Sequence, residues 1–155
     1  MTGSPADDII LREARDEDFP ALAAIHAAAF VEPWTEADLK SLNAGPGTVL
    51  ILAEMAGVAT GFVMVRQAAD EAEILALVVA QAHRRKGIAR ALLARASDWA
   101  TARGARQLFL EVGVGNDAAR NLYMGLGFFP VRTRQDYYGQ GADALILRAG
   151  LPLRA

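Results

Sequence analysis

The sequence predicts an α/β domain built on a mixed sheet, with the element order β-α-α-β-β-β-α-β-α-β-β and helices on both faces. Apolar residues recur at helical spacing in three segments, and short runs rich in Val, Ile and Leu lie between them. The chain has 155 residues, of which 53% are hydrophobic and 22% are charged, so it is long enough to bury one sizeable core. We therefore expect a single domain over residues 1–155, with residues 1–7 disordered.

The first half of the chain predicts a strand, two helices and three further strands. Ile9–Arg15 is the first expected strand, and Asp16 is expected to cap the helix whose apolar stripe begins at Phe19. Thr35 and Asp38 have the spacing of a capping box, which predicts a short second helix. The next expected elements are the strands Thr48–Ala53, Val58–Arg66 and Ile74–Ala80. The last of these is a continuous apolar run, which is typical of a strand buried on both faces.

The second half predicts two more helices and three more strands. A helical stripe of apolar residues begins at Ile88 and predicts a long helix that ends near Gly104. In the strand expected at Gln107–Val112, Glu111 lies on the opposite side from its apolar neighbours. Asn116 begins the next helix. The last two expected strands are Phe128–Arg134 and Ala144–Arg148.

Composition excludes several classes of protein. The formal net charge is -2, which argues against bulk binding of nucleic acid. The chain has no cysteine, which excludes disulfides and thiol catalysis, and its two histidines are far apart, so we expect no metal site. The longest apolar runs are shorter than a membrane span, and the polar start is unlike a signal peptide. We expect a cytoplasmic protein with no membrane partner.

Residues 79–93, VAQAHRRKGIARALL, carry the clearest functional signal. The cations Arg84–Lys86 and then Gly87 stand where an apolar strand gives way to a helix. A helix N-terminus disfavours cations, and no Ser, Thr, Asp or Asn is present to cap this one. A bound anion accounts for both features, because free N–H groups and cations together bind phosphate oxygens. A solvated charged turn is the alternative.

The segment Arg84–Ala89 matches the Arg/Gln-x-x-Gly-x-Gly/Ala signature of the GNAT acetyltransferases, and the element order of nearly the whole chain resembles that family. The resemblance implies the GNAT acyl-CoA N-acyltransferase fold, with acetyl-CoA as cosubstrate. A narrower likeness lies in Leu108–Phe128, LFLEVGVGNDAARNLYMGLGF, which resembles the RimI-type N-terminal protein acetyltransferases. AAFVEPWTEADL and DYYGQGADALIL resemble two further segments of that group. Its members acetylate the N-terminal alanine of a ribosomal protein.

The resemblance also implies roles for individual residues. Glu111 takes the role of proton acceptor and Tyr123 that of proton donor. Acetyl-CoA contacts fall on Leu77, Val78, Val79, Arg84, Arg85, Lys86, Gly87, Ile88, Ala89, Arg90 and Asn116. Substrate contacts fall on Trp34, Tyr137 and Tyr138. The chain departs from the group where Gly113-Val114-Gly115 replaces Arg-x-Ser.

The chemistry of acetyl transfer supports these residue types. An α-amino group has a pKa of about 7.7–8.0, so much of it is protonated at neutral pH and needs a base before it attacks a thioester. Each residue also has a structural alternative: Glu111 as a surface carboxylate, Tyr123 as core, Asn116 as a helix cap, and Trp34 as a loop anchor.

Two rival functions remain open at this point. One is acetylation of a small amine or a lysine side chain, and the other is a CoA-sensing module without catalysis. The expected partner is a protein or peptide N-terminus, including that of a ribosomal protein, and the expected state is a monomer or weak dimer.

Overall fold

Seven strands and four α-helices make up the structure, a computed structural model that describes residues 8–135 and 143–153. The helices are α1 (Phe19–Ala29), α2 (Glu36–Asn43), α3 (Ile88–Ala102) and α4 (Asp117–Gly125). The strands are β1 (Ile10–Glu13), β2 (Thr48–Met55), β3 (Val58–Ala68), β4 (Glu71–Val79), β5 (Gln107–Gly113), β6 (Phe129–Arg134) and β7 (Ala144–Gly150). The predicted order of strands and helices is therefore confirmed.

The sheet has the strand order β1-β2-β3-β4-β5-β7-β6. β4 and β5 pair in parallel, whereas β1 and β2, β2 and β3, β5 and β7, and β6 and β7 pair antiparallel. The prediction of a mixed sheet is thus correct. The chain divides into two compact units, one comprising residues up to Arg66 with Leu75–Ala96, and the other Gln67–Ile74 with the residues from Ser97 onward.

The start of α1 differs from the prediction. Asp16 lies in a short 3-10 turn, Asp16–Asp18, and Asp18 directly precedes the helix. Asp18 does not cap α1 with its side chain, because its carboxylate accepts hydrogen bonds from Arg12 Nη1 (2.7 Å) and from the N–H of Arg15 (2.7 Å). The Arg12 hydrogen bond also holds the pKa of Asp18 below its ordinary value. The Asp18 side chain therefore links the 3-10 turn to Arg12 on β1.

The core of the first unit forms between α1, α2 and one face of the strands β2, β3 and β4. Leu50 pairs with Met64 and Leu52 with Phe62, so these four side chains share a face. The core residues are Phe19, Leu22, Leu39, Leu50, Leu52, Phe62, Met64, Ala76 and Val78. The predicted capping box is confirmed, since Thr35 Oγ1 accepts from the N–H of Asp38 (3.1 Å) and Asp38 Oδ2 accepts from the N–H of Thr35 (2.8 Å).

β4 differs from the prediction of a strand buried on both faces. Its burial alternates: Ala76 and Val78 are buried, while Leu77 and Val79 on the other face are partly exposed. An unbroken apolar run does not reveal which of its two faces is covered, because side chains alternate whatever their polarity. Two apolar side chains near the end of β4 are therefore open to contact.

In the second unit, β5 has one buried and one partly exposed face. Leu108, Leu110 and Val112 are buried, and Glu111 lies on the partly exposed face, as the alternation predicted. All seven residues of β5 pair with β7, and Glu111 lies opposite Ile146. The pairing fixes which face of the strand carries the carboxylate.

Gly61 in β3 allows a close approach to the end of β4. A Cβ atom at this position would lie 2.7 Å from the carbonyl oxygen of Val78 and 3.2 Å from the Cα of Val79. Both neighbouring atoms are backbone, so a rotamer change of a side chain cannot make room. Only glycine fits here without moving the strands.

We predict that Gly61→Ala lowers the free energy of unfolding by about 1–3 kcal/mol, because the added methyl group overpacks against backbone. Gly150→Ala is the matched strand control, since nothing lies within 4 Å of a Cβ at Gly150. Urea unfolding of the two variants checks this. Equal stability of the two variants would contradict the close approach at Gly61.

Candidate functional site

The end of β4 passes into α3 through a short, hydrogen-bonded turn. The N–H of Ala80 donates to the carbonyl of Thr60 (2.8 Å), and the 3-10 turn Gln81–His83 follows. Arg84 Nε donates to the carbonyl of Val79 at 3.3 Å. One of the predicted cations therefore contacts the backbone at the end of β4, where the sequence predicted cofactor contacts.

The first turn of α3 has unpaired backbone donors. The N–H of Ala91 donates to the carbonyl of Gly87 (3.0 Å), but no acceptor among the described residues contacts the N–H groups of Ile88, Ala89 and Arg90. Gly87 has φ +81°, and nothing lies within 4 Å of a Cβ at that position. Arg85 also has positive φ, at 65°. The loop therefore presents three free amides beside open space.

The cations of this loop are exposed. Arg84, Arg85 and Lys86 form no ion pair with a carboxylate in residues 8–135 or 143–153. Free helix N–H groups, the positive end of the α3 dipole and nearby unpaired cations are the features that bind phosphate oxygens. The loop has these features, and its neighbours Leu77 and Val79 are partly exposed apolar side chains.

Glu111, in the second unit, forms an ion pair that the sequence did not predict. Its Oε1 accepts a hydrogen bond from Nη1 of Arg134 at 2.6 Å, and the two side chains are 25% and 43% exposed. No described residue contacts Oε2 by a hydrogen bond or ion pair. The carboxylate therefore retains one oxygen for another proton donor.

The turn after β5 is held by a group of hydrogen bonds. The carbonyl of Val114 accepts from Arg120 Nη1 (2.9 Å), and its N–H donates to the carbonyl of Asp143 (3.1 Å). Asn116 Oδ1 accepts from the N–H of Ala119 (3.2 Å), so Asn116 is the N-cap of α4. Both the N–H and the carbonyl of Val114 are therefore hydrogen-bonded, which holds the Gly113-Val114-Gly115 segment in place despite its two glycines.

Tyr123 lies on α4 and is partly buried. Its ring packs edge to face against buried Phe128, with 5.8 Å between the ring centroids. Its carbonyl accepts from the N–H of Phe128 (3.1 Å), which closes the C-terminal turn of the helix. Tyr137 and Tyr138 lie outside the described residues.

Trp34 is held in place by His26. The imidazole stacks on Trp34 with 4.9 Å between ring centroids and on Phe30 with 4.3 Å. His26 Nδ1 accepts from the backbone N–H of Trp34 at 3.1 Å, which assigns the proton to Nε2. His26 is 3% exposed, and burial lowers its pKa. The aromatic group shapes the α1–α2 connection, where Phe30 and Val31 remain exposed.

The described residues contain no group of three or more His, Asp or Glu side chains placed to hold a metal ion. Among the same residues, no helix combines the length and the apolar character needed to cross a membrane.

Sequence reasoning missed two contacts at the site, one made by Arg134 and one by Arg120. Arg134 is 23 positions from Glu111, and finding their contact requires the register of β6 and β7. Arg120 was not singled out, although its (i, i+3) spacing from Asp117 at the start of a helix was a readable local signal.

Comparison with known proteins adds to this geometry. The acetyltransferase (GNAT) family matches residues 13–128. The chain is 34% identical over 121 residues to the ribosomal protein bS18-alanine N-acetyltransferase of Escherichia coli K12, covering 78% of this chain and 81% of that protein. The crystal structure of the ribosomal-protein-S18-alanine N-acetyltransferase from Escherichia coli matches with a TM-score of 0.85 and 29% identity, covering 96% of this chain and 97% of that one. Nourseothricin acetyltransferase matches with a TM-score of 0.75 and 24% identity, covering 93% and 99%, which shows the fold alone.

We predict that His26 makes stability depend on pH. Burial lowers the pKa of folded His26 from its ordinary value of 6.5, so below that value the unfolded chain binds a proton that the folded protein does not. The free energy of unfolding should therefore fall as the pH decreases from about 7.5 to about 5.5. Urea unfolding at several pH values measures this slope.

His26→Asn retains a side-chain acceptor and removes the titrating group, so the slope should decrease. His83→Asn is the matched control and should retain it. An unchanged slope in His26→Asn would assign the pH dependence to another residue.

Proposed function

The chain belongs to the GNAT acetyltransferase family, and from this premise we propose that it transfers acetyl from acetyl-CoA to the N-terminal α-amino group of a protein. Membership makes it an acetyl-CoA-dependent N-acetyltransferase. The protein acceptor is supported by the relative named for the alanine of ribosomal protein bS18. The proposal includes the N-terminus of a ribosomal protein as substrate, and a cytoplasmic location.

The observation that carries the cofactor assignment is the start of α3. The N–H groups of Ile88, Ala89 and Arg90, which have no acceptor among the described residues, lie beside exposed cations and the open space over Gly87, which fits a pyrophosphate. Leu77 and Val79 offer partly exposed apolar side chains to the pantetheine arm. Asn116 is a further proposed contact through its amide nitrogen, since its oxygen caps α4. When bound, acetyl-CoA supplies an acetyl group activated as a thioester.

Glu111 is the proposed proton acceptor. Its Oε2 is the oxygen without a described protein partner, and it can take the proton of the α-ammonium directly or through a water. Such a base contributes about 10²–10⁴-fold to the rate. Tyr123 is the proposed proton donor to the leaving thiolate, and its packing on Phe128 restricts the direction of its phenol. Transfer proceeds directly from thioester to amine, which suits a chain without cysteine.

Trp34, Tyr137 and Tyr138 are the proposed substrate contacts. Trp34 is anchored by His26, so in this proposal it offers the acceptor a rigid aromatic edge rather than a mobile one. Acetylation of a small amine or a lysine remains the second candidate, because one fold serves several acceptors, as the likeness to nourseothricin acetyltransferase illustrates.

We predict that Gly87→Ala weakens acetyl-CoA binding by about tenfold or more, because a methyl group would enter the space beside the free amides. Gly57→Ala is the matched control: Gly57 has φ +78° and also has nothing within 4 Å of its Cβ position. Both variants carry a similar backbone penalty of about 1 kcal/mol, so stability does not separate them. Calorimetric titration with acetyl-CoA measures the affinity of each variant and separates them. Equal affinities would place the cofactor elsewhere.

We predict that the protein acetylates a peptide with a free N-terminal alanine, because the relative with a protein substrate is named for that residue. The same peptide with a blocked α-amine and an internal lysine should remain unmodified. Mass spectrometry after incubation with acetyl-CoA counts and locates the acetyl groups. Labelling on lysine, or acetylation of polyamines but of no peptide, would favour the second candidate. Acetyl-CoA binding without any transfer would favour a sensing module.

A further inference from the structure

The strand register explains how Arg134 reaches Glu111 across β7. Glu111 lies opposite Ile146 on β7, and Ile146 lies opposite Arg132 on β6, so these three side chains share one face of the sheet. Arg134 is two residues after Arg132 and points to the same face. A register shift between Pro130 and Arg132 sets this alignment. Without it, the side chains of β6 beyond the bulge would face the other way.

The row of residues next to Glu111 leaves room for the guanidinium group. Arg134 lies opposite Ala144, and Ala144 lies opposite Gly113. The side chains between Arg134 and β5 are therefore only the methyl group of Ala144 and the hydrogen of Gly113. β6 and β5 are two strand spacings apart, about 10 Å, which a long side chain can cross over such a row. The Arg134–Glu111 contact therefore depends on the small residues Ala144 and Gly113.

The contact is of the strong, charge-assisted kind. The distance from Nη1 to Oε1 is 2.6 Å, and Glu111 is the less exposed of the two side chains. A glutamate has three side-chain torsions, and an unanchored carboxylate at this exposure would sample several orientations. A guanidinium bound to Oε1 restricts those torsions and leaves Oε2 available.

We propose that Arg134 is a positioning residue for the acetyl-transfer reaction: it holds the Glu111 carboxylate in one orientation, with Oε2 presented to the acceptor amine. The proposal rests on the proposed function, in which Glu111 accepts the proton. Arg134 acts through Glu111 and contributes no proton itself.

Arg132 provides the matched control. It carries the same charge on the same face of β6, and it forms no ion pair with any described residue. Arg132→Gln changes the net charge as Arg134→Gln does, while it leaves the Glu111 contact intact. Thermal unfolding of both variants checks that any loss of rate is not a loss of fold.

We predict that Arg134→Gln lowers kcat by about 10- to 100-fold while the KM for acetyl-CoA changes less than about twofold, because only the base is misplaced. Arg134→Lys should restore part of kcat, since it returns the charge without the planar fork. Arg132→Gln should stay within about twofold of the unmodified protein. In Glu111→Gln with Arg134→Gln, kcat should equal that of Glu111→Gln alone, because the arginine has no base left to position. Steady-state kinetics with an alanine-starting peptide measures the unmodified protein and all five variants.

Four results would overturn the proposal. Additive losses in the double variant would show that Arg134 acts independently of Glu111. Equal losses of kcat in Arg132→Gln and Arg134→Gln would show that the effect comes from the change in net charge. If Glu111→Gln is slow and Arg134→Gln is not, the arginine proposal alone is wrong. If Glu111→Gln retains full kcat, the proposed base is wrong, and the role of Arg134 fails with it.

Discussion

The unpaired amides at the start of α3 are the constraint on which the candidate site depends. A helix of this length must leave its first N–H groups without intrahelical partners, and most helices satisfy them with a side-chain cap. Here Gly87 and Arg85 adopt positive φ, and no acceptor among the described residues pairs with the N–H groups of Ile88, Ala89 and Arg90. In the proposed function these donors bind the pyrophosphate of acetyl-CoA, which offsets the cost of the loop geometry. The cations Arg84–Lys86 become explicable for the same reason.

The order of strands and helices could be predicted because its signals are local. The capping box at Thr35 depends on two residues three positions apart, and helical stripes and apolar runs are visible within one segment. Two details depended on tertiary contacts and were predicted incorrectly. Asp16 was expected to cap α1, but it lies in the 3-10 turn before the helix. Asp18 directly precedes α1, and its side chain forms an ion pair with Arg12 on β1. The β4 run could not show which of its faces is covered.

The same distinction applies to the candidate site. The cationic loop was predicted from its position between strand and helix, and the face of Glu111 was predicted from strand alternation, and the structure shows both features. The ion pair with Arg134 could not be predicted, because it depends on two ladders and on the bulge at Pro130. Each ladder has a period of two, so an error of one residue would have placed Arg134 on the opposite face.

Gly113 links the departure in the sequence to this ion pair. The replacement of Arg-x-Ser by Gly113-Val114-Gly115 removes a side chain from the face that carries Glu111. The turn itself does not loosen, because Arg120 and Asp143 bind the backbone of Val114 on both sides. Gly113 instead affects the cross-strand row Gly113–Ala144–Arg134. Because Gly113 and Ala144 have no large side chains, the Arg134 side chain can extend over them. A larger residue at position 113 would occupy the space that Arg134 crosses to reach Glu111. Gly113 and Arg134 are therefore two parts of one arrangement, in which a cation on β6 reaches the carboxylate on β5.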